Sequence, residues 1–330
     1  MTAPDTTRAV RVHRTGGPEV LVTEDIPLAP PGAGEVTLRH EAVGLNFIDL
    51  YHRTGLYPLP VLPHVLGVEG AGVIEAAGPG TDPALVGRRV AYMCYPAGAY
   101  CDRRTIAADR LVPVPDDVPF DVAAAGLGRG LTAHYLLHRI VSLAPGDPVL
   151  IHAAAGGVGS LLCQWGRHMG LQVIGTVGSP AKAEVARTLG CDVVIDYRTE
   201  DVAARVRAAT GGRGVRIVLD SVGQDTYAAS VDSLARFGTL VNYGNASGMV
   251  RSVDARELTV KGSLFFTHPS VFHYTEDRAE LLAGARAFFA MLSAGHLSVH
   301  IGQRYDLTEA AAAQEDLAAR RTTGCSVLTL

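Results

Sequence analysis

HAAAGGVGS, His152 to Ser160, is the stretch on which the fold of this chain turns. It follows a short apolar run, Pro148 to His152, and leads into Gly157 to Met169, so it reads as strand, glycine-rich turn and helix. Ala154, Gly156 and Gly159 stand at the three spaced positions where such a turn needs small residues, with Ala in place of the first glycine. The middle glycine lets the backbone come close to a ligand, and the last lets the helix pack on its strand. The first N–H groups of the helix, those of Gly157, Val158 and Gly159, lack carbonyl partners within the helix and lie at its positive end. That arrangement suits a pyrophosphate and makes the stretch a candidate dinucleotide-binding turn.

Beyond the turn, strand and helix alternate. Apolar runs at Gln172–Val177, Asp192–Tyr197, Val215–Ser221, Thr239–Tyr243 and Ser263–Thr267 read as strands. Pro180–Leu189, Glu200–Ala209, Asp225–Arg236 and Asp277–Ser293 read as helices. Together with Pro148–His152, these six strands and their crossovers predict an α/β fold with a doubly wound parallel sheet of Rossmann type. Before the turn the texture differs. Ala9–Arg14, Glu35–Val43, Ala71–Ala77, Arg89–Tyr95 and Ala99–Ala107 read as short strands, punctuated by Pro30-Pro31-Gly32 and Gly78-Pro79-Gly80, as in a compact β-barrel-like domain. Val122–Ile140 reads as a helix broken near Gly126, Gly128 and Gly130. The tail, Val299–Leu330, carries a helix at Thr308–Arg320 and a final strand.

The end of the second strand of the parallel sheet bears on the choice of nucleotide. A site for a ribose 2′-hydroxyl places Asp or Glu there. This chain has Thr176-Val177-Gly178-Ser179, with no acid, and Lys182 follows one helical turn later. A missing acid and a nearby cation suit a 2′-phosphate, with Ser179 donating a hydrogen bond and Lys182 neutralising charge. The expected cofactor is NADPH.

Bulk properties narrow the remaining classes. A chain of 330 residues suggests two domains, and its 48% hydrophobic content can fill their cores. Net charge is −4 and the basic residues are scattered, which argues against a nucleic-acid partner. No apolar run of about 18 residues predicts a membrane span, and Met1–Val10 holds no apolar core of a signal peptide. Five widely spaced cysteines, an odd number, favour a reducing compartment, and a cytoplasmic location is expected. Cys94 and Cys101 read as ordinary small residues on adjacent strands.

Several separate segments carry a family resemblance. HAAAGGVG, GLTAHYLL (Gly130–Leu137), GTVGSPAKA (Gly175–Ala183), LDSVGQDT (Leu219–Thr226), NYGNASG (Asn242–Gly248) and KGSLFFTHPS (Lys261–Ser270) resemble the zinc-free, zeta-crystallin-like quinone oxidoreductases of the medium-chain dehydrogenase/reductase superfamily. GGPEVL (Gly16–Leu21), NFIDLYHRTGLYP (Asn46–Pro58) and GVEGAGVIEAAGPG (Gly67–Gly80) are similar to its substrate-domain motifs. The resemblance implies a GroES-like catalytic domain with the Rossmann domain inserted in it, over residues 1–127, 128–267 and 268–330. It implies that Asn46, Lys182, Tyr197, Ser221, Asn245 and Arg320 contact the cofactor, with Lys182, Tyr197 and Arg320 around the 2′-phosphate. Tyr57 is implied beside the nicotinamide and acceptor. With the turn and the strand ends, the cofactor candidates are Asn46, Ala154, Gly156, Gly157, Val158, Gly159, Gly178, Ser179, Lys182, Tyr197, Ser221, Tyr243, Asn245 and Arg320. Arg129 stands where the family carries Lys, and His268 where it commonly carries Arg.

No metal is expected. Gly67-Val68-Glu69 has Val68 where zinc-dependent cousins place a histidine ligand, and no cysteine cluster offers a structural zinc site. His134 and His138 are four apart on a helix but lack the glutamate of a metalloprotease helix. Without a metal, hydrogen-bond donors must stabilise the charge that develops on an acceptor oxygen, and Asn46 and Tyr57 are the catalytic candidates. The expected function is NADPH-dependent reduction of a small quinone or enone by a homodimer whose Rossmann domains pair edge to edge. Two alternatives stay open: an enoyl reductase acting on a polyketide-like or acyl-thioester intermediate, and a non-catalytic NADPH- or RNA-binding protein.

Overall fold

The computed structural model describes Asp5 to Leu330. The chain forms two compact units: residues up to Arg129 with Asp277–Ser293 and Val299–Leu330, and Gly130–Glu276 with Ala294–Ser298.

The first unit opens with β1 (Thr6–Val12), β2 (Leu21–Pro27), β3 (Glu35–Leu45), α1 (Phe47–Thr54), β4 (His64–Val65), β5 (Glu69–Ala77), β6 (Arg89–Met93), β7 (Arg103–Ala107) and β8 (Val112–Pro113). β3 is its spine, antiparallel to β5 and also to β7. Val36, Leu38, Val43 and Leu45 from β3 pack with Val10, Ile74 and Tyr92 in the barrel core. α2 (Phe120–His138) follows as one helix through Gly126, Gly128 and Gly130, with no break. Two of the glycines that read as breaks, Gly126 and Gly128, are packing positions. A Cβ at Gly126 would lie 2.8 Å from the Phe288 ring, and one at Gly128 would lie 2.1 Å from the Met93 sulfur. The helix accepts the propensity cost of glycine, about 1 kcal/mol each, because its neighbours leave no room for a side chain.

The second unit carries β9 (Pro148–Ile151), α3 (Gly157–His168), β10 (Gln172–Val177), α4 (Pro180–Thr188), β11 (Val193–Asp196), α5 (Val202–Ala209), β12 (Val215–Asp220), α6 (Tyr227–Ser233), β13 (Leu234–Asn242), α7 (Ala255–Val260) and β14 (Phe265–Thr267). All six strands are parallel, in the order β11-β10-β9-β12-β13-β14. The first strand in sequence is therefore central and the order reverses beside it, which is the doubly wound arrangement with its crevice at the strand C-termini. Val149, Leu150 and Ile151 are fully buried, as befits a strand covered on both faces. Leu234 to Arg236, read as helix, belong instead to β13, where Leu234 pairs with Val215 across an irregularity in the ladder.

A short helix α8 (Val271–Tyr274) precedes the return to the first unit as α9 (Arg278–Ser293), β15 (Ile301–Asp306), α10 (Ala310–Ala318) and β16 (Cys325–Thr329). β15 and β16 pair in parallel and β16 adds to β3, so the tail extends the sheet of β3, β5, β6, β7 and β8, while β1, β2 and β4 form a separate three-stranded sheet. No described helix is long and apolar enough to cross a membrane.

Candidate functional site

In the second unit the residues singled out by the sequence gather at the carboxyl edge of the parallel sheet. β9 ends at Ile151 and the chain turns through Ala153, which holds a left-handed φ of 52°. Gly156 N–H donates to the Ala153 carbonyl at 2.8 Å, and Ala154 N–H donates to the Thr176 carbonyl at 3.0 Å, tying the turn to β10. Gly156 caps α3, and Gly159 lies one turn in. A Cβ on Gly159 would stand 2.2 Å from the Ala153 carbonyl oxygen, so only glycine lets the helix start this close to the turn. The freed N–H groups at the start of α3 then line a glycine-rich cradle in which only Val158 carries a side chain.

Behind the turn runs a buried relay of hydrogen bonds. Ser230 Oγ donates to Asp220 Oδ2 at 2.9 Å and lies 3.0 Å from His152 Nε2. His152 Nδ1 lies 3.0 Å from Thr176 Oγ1. Since the Ser230 proton goes to Asp220, Nε2–H must donate to Ser230 and Nδ1 must accept from Thr176. Burial pushes the His152 ring below its ordinary value, with Asp220 opposing, which agrees with a neutral ring. Asp220 Oδ1 also accepts from the N–H groups of Val222 (2.8 Å) and Gly223 (3.1 Å). The network fixes the ends of β9, β10 and β12 against α6. Asp220 and Ser230 escaped the sequence reading, because partners so far apart in sequence leave no local pattern.

At the end of β10, Ser179 caps α4 and accepts from Lys182 N–H at 3.3 Å. The Tyr197 ring covers Gly178, where a Cβ would fall 2.4 Å from the Tyr197 hydroxyl. Tyr197 N–H donates to the Val177 carbonyl at 3.1 Å. Gly178, Ser179, Lys182 and Tyr197 thus form one cluster. The chain has two lysines. Lys261 is paired with Asp232 and Glu257, whereas half-buried Lys182 has no ion pair among the described residues.

Ser221 and Tyr243 follow β12 and β13, and Gly244 fits closely against Ser221, where a Cβ would lie 2.6 Å from its carbonyl oxygen. Tyr243 N–H donates to the Asp220 carbonyl at 2.8 Å. Burial raises the Tyr243 hydroxyl above its ordinary value, with Ser221 acting against it. Asn245 is buried on the same loop. His268 Nδ1 lies 3.1 Å from Asn242 Oδ1, joining the end of β14 to that of β13.

The other candidates belong to the first unit. Asn46 caps α1, its N–H donating to Asp49 Oδ2 at 2.8 Å and its Nδ2 to Glu69 Oε2 at 2.8 Å. Glu69 is fully buried, and its second oxygen accepts from Gly128 N–H. Arg129 lies 3.6 Å from Glu69 Oε2 and donates to the Leu45 carbonyl at 2.8 Å. Burial raises the Glu69 carboxyl, while Arg129, Asn46 and Gly128 lower it. Asn46 is therefore held by a buried ion pair whose members lie far apart in sequence. Tyr57 sits in the loop after α1, its N–H donating to the Tyr51 carbonyl at 3.0 Å and its ring edge-on to Tyr51 at 5.2 Å. Arg320 follows α10 with a left-handed φ of 59°, a helix-ending position where glycine is the usual residue.

The His134 and His138 rings are 5.2 Å apart, as their spacing predicts, and both pack against Trp165, at 5.9 and 5.5 Å. Burial pushes His134 down to about 4. No group of three or more His, Cys, Asp or Glu among the described residues is placed to hold a metal ion. All five cysteines are buried free thiols.

Comparison with known proteins agrees with this architecture. Residues 32–145 match the alcohol dehydrogenase GroES-like domain, and 157–282 match the zinc-binding dehydrogenase family. The chain is 48% identical to a quinone oxidoreductase of Pseudomonas aeruginosa, over 95% of this chain and 96% of that one. It is 45% identical to a 2-haloacrylate reductase of a Burkholderia species, over 97% and 98% of the two chains. Among solved structures it resembles Escherichia coli quinone oxidoreductase complexed with NADPH, with a TM-score of 0.95 and 42% identity over 98% and 100% of the two chains. Likeness at this level over nearly the whole of each chain places the protein: it belongs to the quinone oxidoreductase family of the medium-chain dehydrogenases/reductases.

Proposed function

We propose that the chain is an NADPH-dependent reductase whose acceptor is a quinone or a conjugated enone. The observation that carries this reading is the carboxyl edge of the parallel sheet. A glycine-rich cradle at Gly156–Gly159, with Val158 its one side chain, lies at one strand end. An acid-free cluster lies at the next, with a half-buried Lys182 that makes no ion pair among the described residues. These residues fit a dinucleotide with a 2′-phosphate. The relatives support the same assignment: one solved relative is a complex with NADPH, and another relative is a 2-haloacrylate reductase.

NADPH supplies a hydride when bound. The protein's part is to hold and orient. The N–H groups of Gly157, Val158 and Gly159 take the pyrophosphate. Ser179, Lys182 and Tyr197 take the 2′-phosphate, Lys182 through charge and Ser179 through its hydroxyl proton. Ser221, Tyr243 and Asn245 line the neighbouring strand ends. Arg320 is proposed as a second cation for the phosphate; its side chain is a reason to keep an arginine where glycine would relieve backbone strain.

Asn46 and Tyr57 are proposed on the acceptor side. Glu69 fixes one amide proton of Asn46, and the other remains to orient a bound group. The Tyr57 hydroxyl is a donor for the oxygen on which negative charge develops. A reduced quinone takes its protons from water, so the site needs no dedicated acid. Steady-state NADPH oxidation against quinones, open-chain enones and enoyl thioesters tests the assignment. Turnover of quinones or enones is expected; an enoyl thioester preferred by about a hundredfold in kcat/KM would replace this reading with a biosynthetic enoyl reductase.

A further inference from the structure

Two thiols meet between α3 and the parallel sheet. Cys163, on α3, and Cys191, just before β11, place their sulfur atoms 3.3 Å apart. Both are free; Cys163 is 0% exposed and Cys191 8% exposed. The pair also touches the glycine-rich turn. Cys163 Sγ–H donates to the Ala154 carbonyl at 3.7 Å. A Cβ on Gly175 of β10 would stand 2.6 Å from Cys191 Sγ and 2.7 Å from the Ala154 Cβ, so the sulfur and the turn rest on the same face of the strand. We propose that Cys163 and Cys191 are a modification site, a dithiol that a peroxide converts to a disulfide, and that the cross-link weakens the hold of the turn on NADPH.

Proximity carries the inference. A sulfur–sulfur bond is about 2.05 Å long, so closing it from 3.3 Å asks for about 1.2 Å of movement, shared between two side chains. No other two sulfur atoms among the described residues are hydrogen-bonded to each other. Cys94, Cys101 and Cys325 belong to the first unit, so they serve as internal controls. A pair of this kind stays as thiols under reducing conditions and cross-links only while an oxidant is present.

The two sulfurs take different parts. The hydrogen bond to Cys191 and burial hold the Cys163 thiol well above its ordinary value, so Cys163 keeps its proton. Cys191 is the more exposed of the two and reacts first. Its sulfur attacks one oxygen of hydrogen peroxide: the O–O bond breaks, an S–O bond forms, and the departing hydroxide takes the Cys191 proton as water. Cys163 Sγ then attacks Cys191 Sγ: the S–S bond forms, the S–O bond breaks, and the hydroxide leaves with the Cys163 proton as a second water. The dithiol loses two electrons and the peroxide gains them. Cys163 then has no S–H, so the Ala154 carbonyl loses that donor. Ala154 is also the residue whose N–H ties the turn to the Thr176 carbonyl, so the disturbance falls where the turn is held to β10.

The test treats the nucleotide-free protein with hydrogen peroxide, blocks the remaining thiols with N-ethylmaleimide, and maps the digest by mass spectrometry. A Cys163–Cys191 disulfide peptide is expected, with Cys94, Cys101 and Cys325 recovered as blocked thiols. Calorimetry should then show NADPH binding about fivefold weaker than before oxidation, the scale of one lost hydrogen bond, and dithiothreitol should restore it. Cys191→Ser should show neither the cross-link nor the loss of affinity under peroxide. If that variant does not fold, the wild-type peptide map and the reversal by dithiothreitol decide the question alone. Oxidation of Cys94, Cys101 or Cys325 with Cys163 and Cys191 left as thiols would overturn the proposal. So would a disulfide that leaves NADPH affinity unchanged, or a loss of affinity that dithiothreitol does not reverse. The affinity readout rests on the NADPH reading above; if untreated wild type binds no NADPH that reading fails, and the peptide map still decides the cross-link.

Discussion

Tyr57 and Asp49 lie within one short stretch and show how far single residues can be assigned. Tyr57 is a half-buried ring whose backbone is tied to Tyr51, so its hydroxyl is carried on a constrained loop. If it donates to the developing oxyanion, Tyr57→Phe should lower kcat by about 10- to 1000-fold with NADPH affinity nearly unchanged. A kcat within about twofold of wild type, with only the acceptor KM moved, would reduce Tyr57 to part of the wall. Asp49 acts through Asn46. It is fully buried, and its Oδ2 also accepts from the Tyr100 hydroxyl at 3.0 Å. Burial raises its carboxyl to about 7, against about 3.9 in an unfolded chain. Between those values the folded state keeps a proton that the unfolded state has released, so stability falls as pH rises from about 4 to about 7. Asp49→Asn keeps an acceptor oxygen for both donors and should flatten that part of the profile. Urea midpoints at about pH 5 and about pH 7 measure it; an unchanged slope would remove Asp49 as its source.

At the scale of elements, the glycines of the turn and of α2 separate what sequence reveals from what it hides. The glycines of HAAAGGVGS sit between an apolar strand and a helix, so their purpose is written in their neighbours. Gly159→Ala forces a Cβ to within 2.2 Å of the Ala153 oxygen, and the turn must open to admit it. The expected result is a loss of roughly 1–3 kcal/mol of stability together with weaker NADPH binding, read by thermal melts with and without nucleotide. Unchanged melting and binding would mean that the turn is not the close-packed cradle described. Gly126 and Gly128 look similar in sequence but serve contacts with Phe288 and Met93, which only the folded chain brings near. The buried strands β9 and β10 were legible as continuous apolar runs. β15 was not, because its residues alternate partly buried with exposed and carry polar side chains at Gln303 and Arg304. The anchoring of Asn46 by Glu69 and Arg129 was equally hidden: Arg129 bonds a carbonyl 84 residues away. Sequence revealed the glycine-rich turn, whose packing is local, better than the surroundings of Asn46, whose supports are assembled by the fold.

For the whole molecule, the edge strand β14 bears on assembly. It pairs only with β13 among the described residues, and Phe265 on it is 59% exposed. An edge without proline or charge is a surface for pairing with another strand. We propose that two copies join along β14, and light scattering at micromolar concentration should give twice the chain mass. A monomer mass would contradict this, and Phe265→Lys should dissociate the dimer if the edge is its seam. The central claim, that this carboxyl edge is built for a 2′-phosphate, is tested most directly by calorimetric titration with NADPH and with NADH. NADPH should bind at least about tenfold tighter, and Lys182→Ala should cost it roughly 1–3 kcal/mol while leaving NADH nearly unchanged. Equal affinities for the two nucleotides in the wild-type protein would contradict the account.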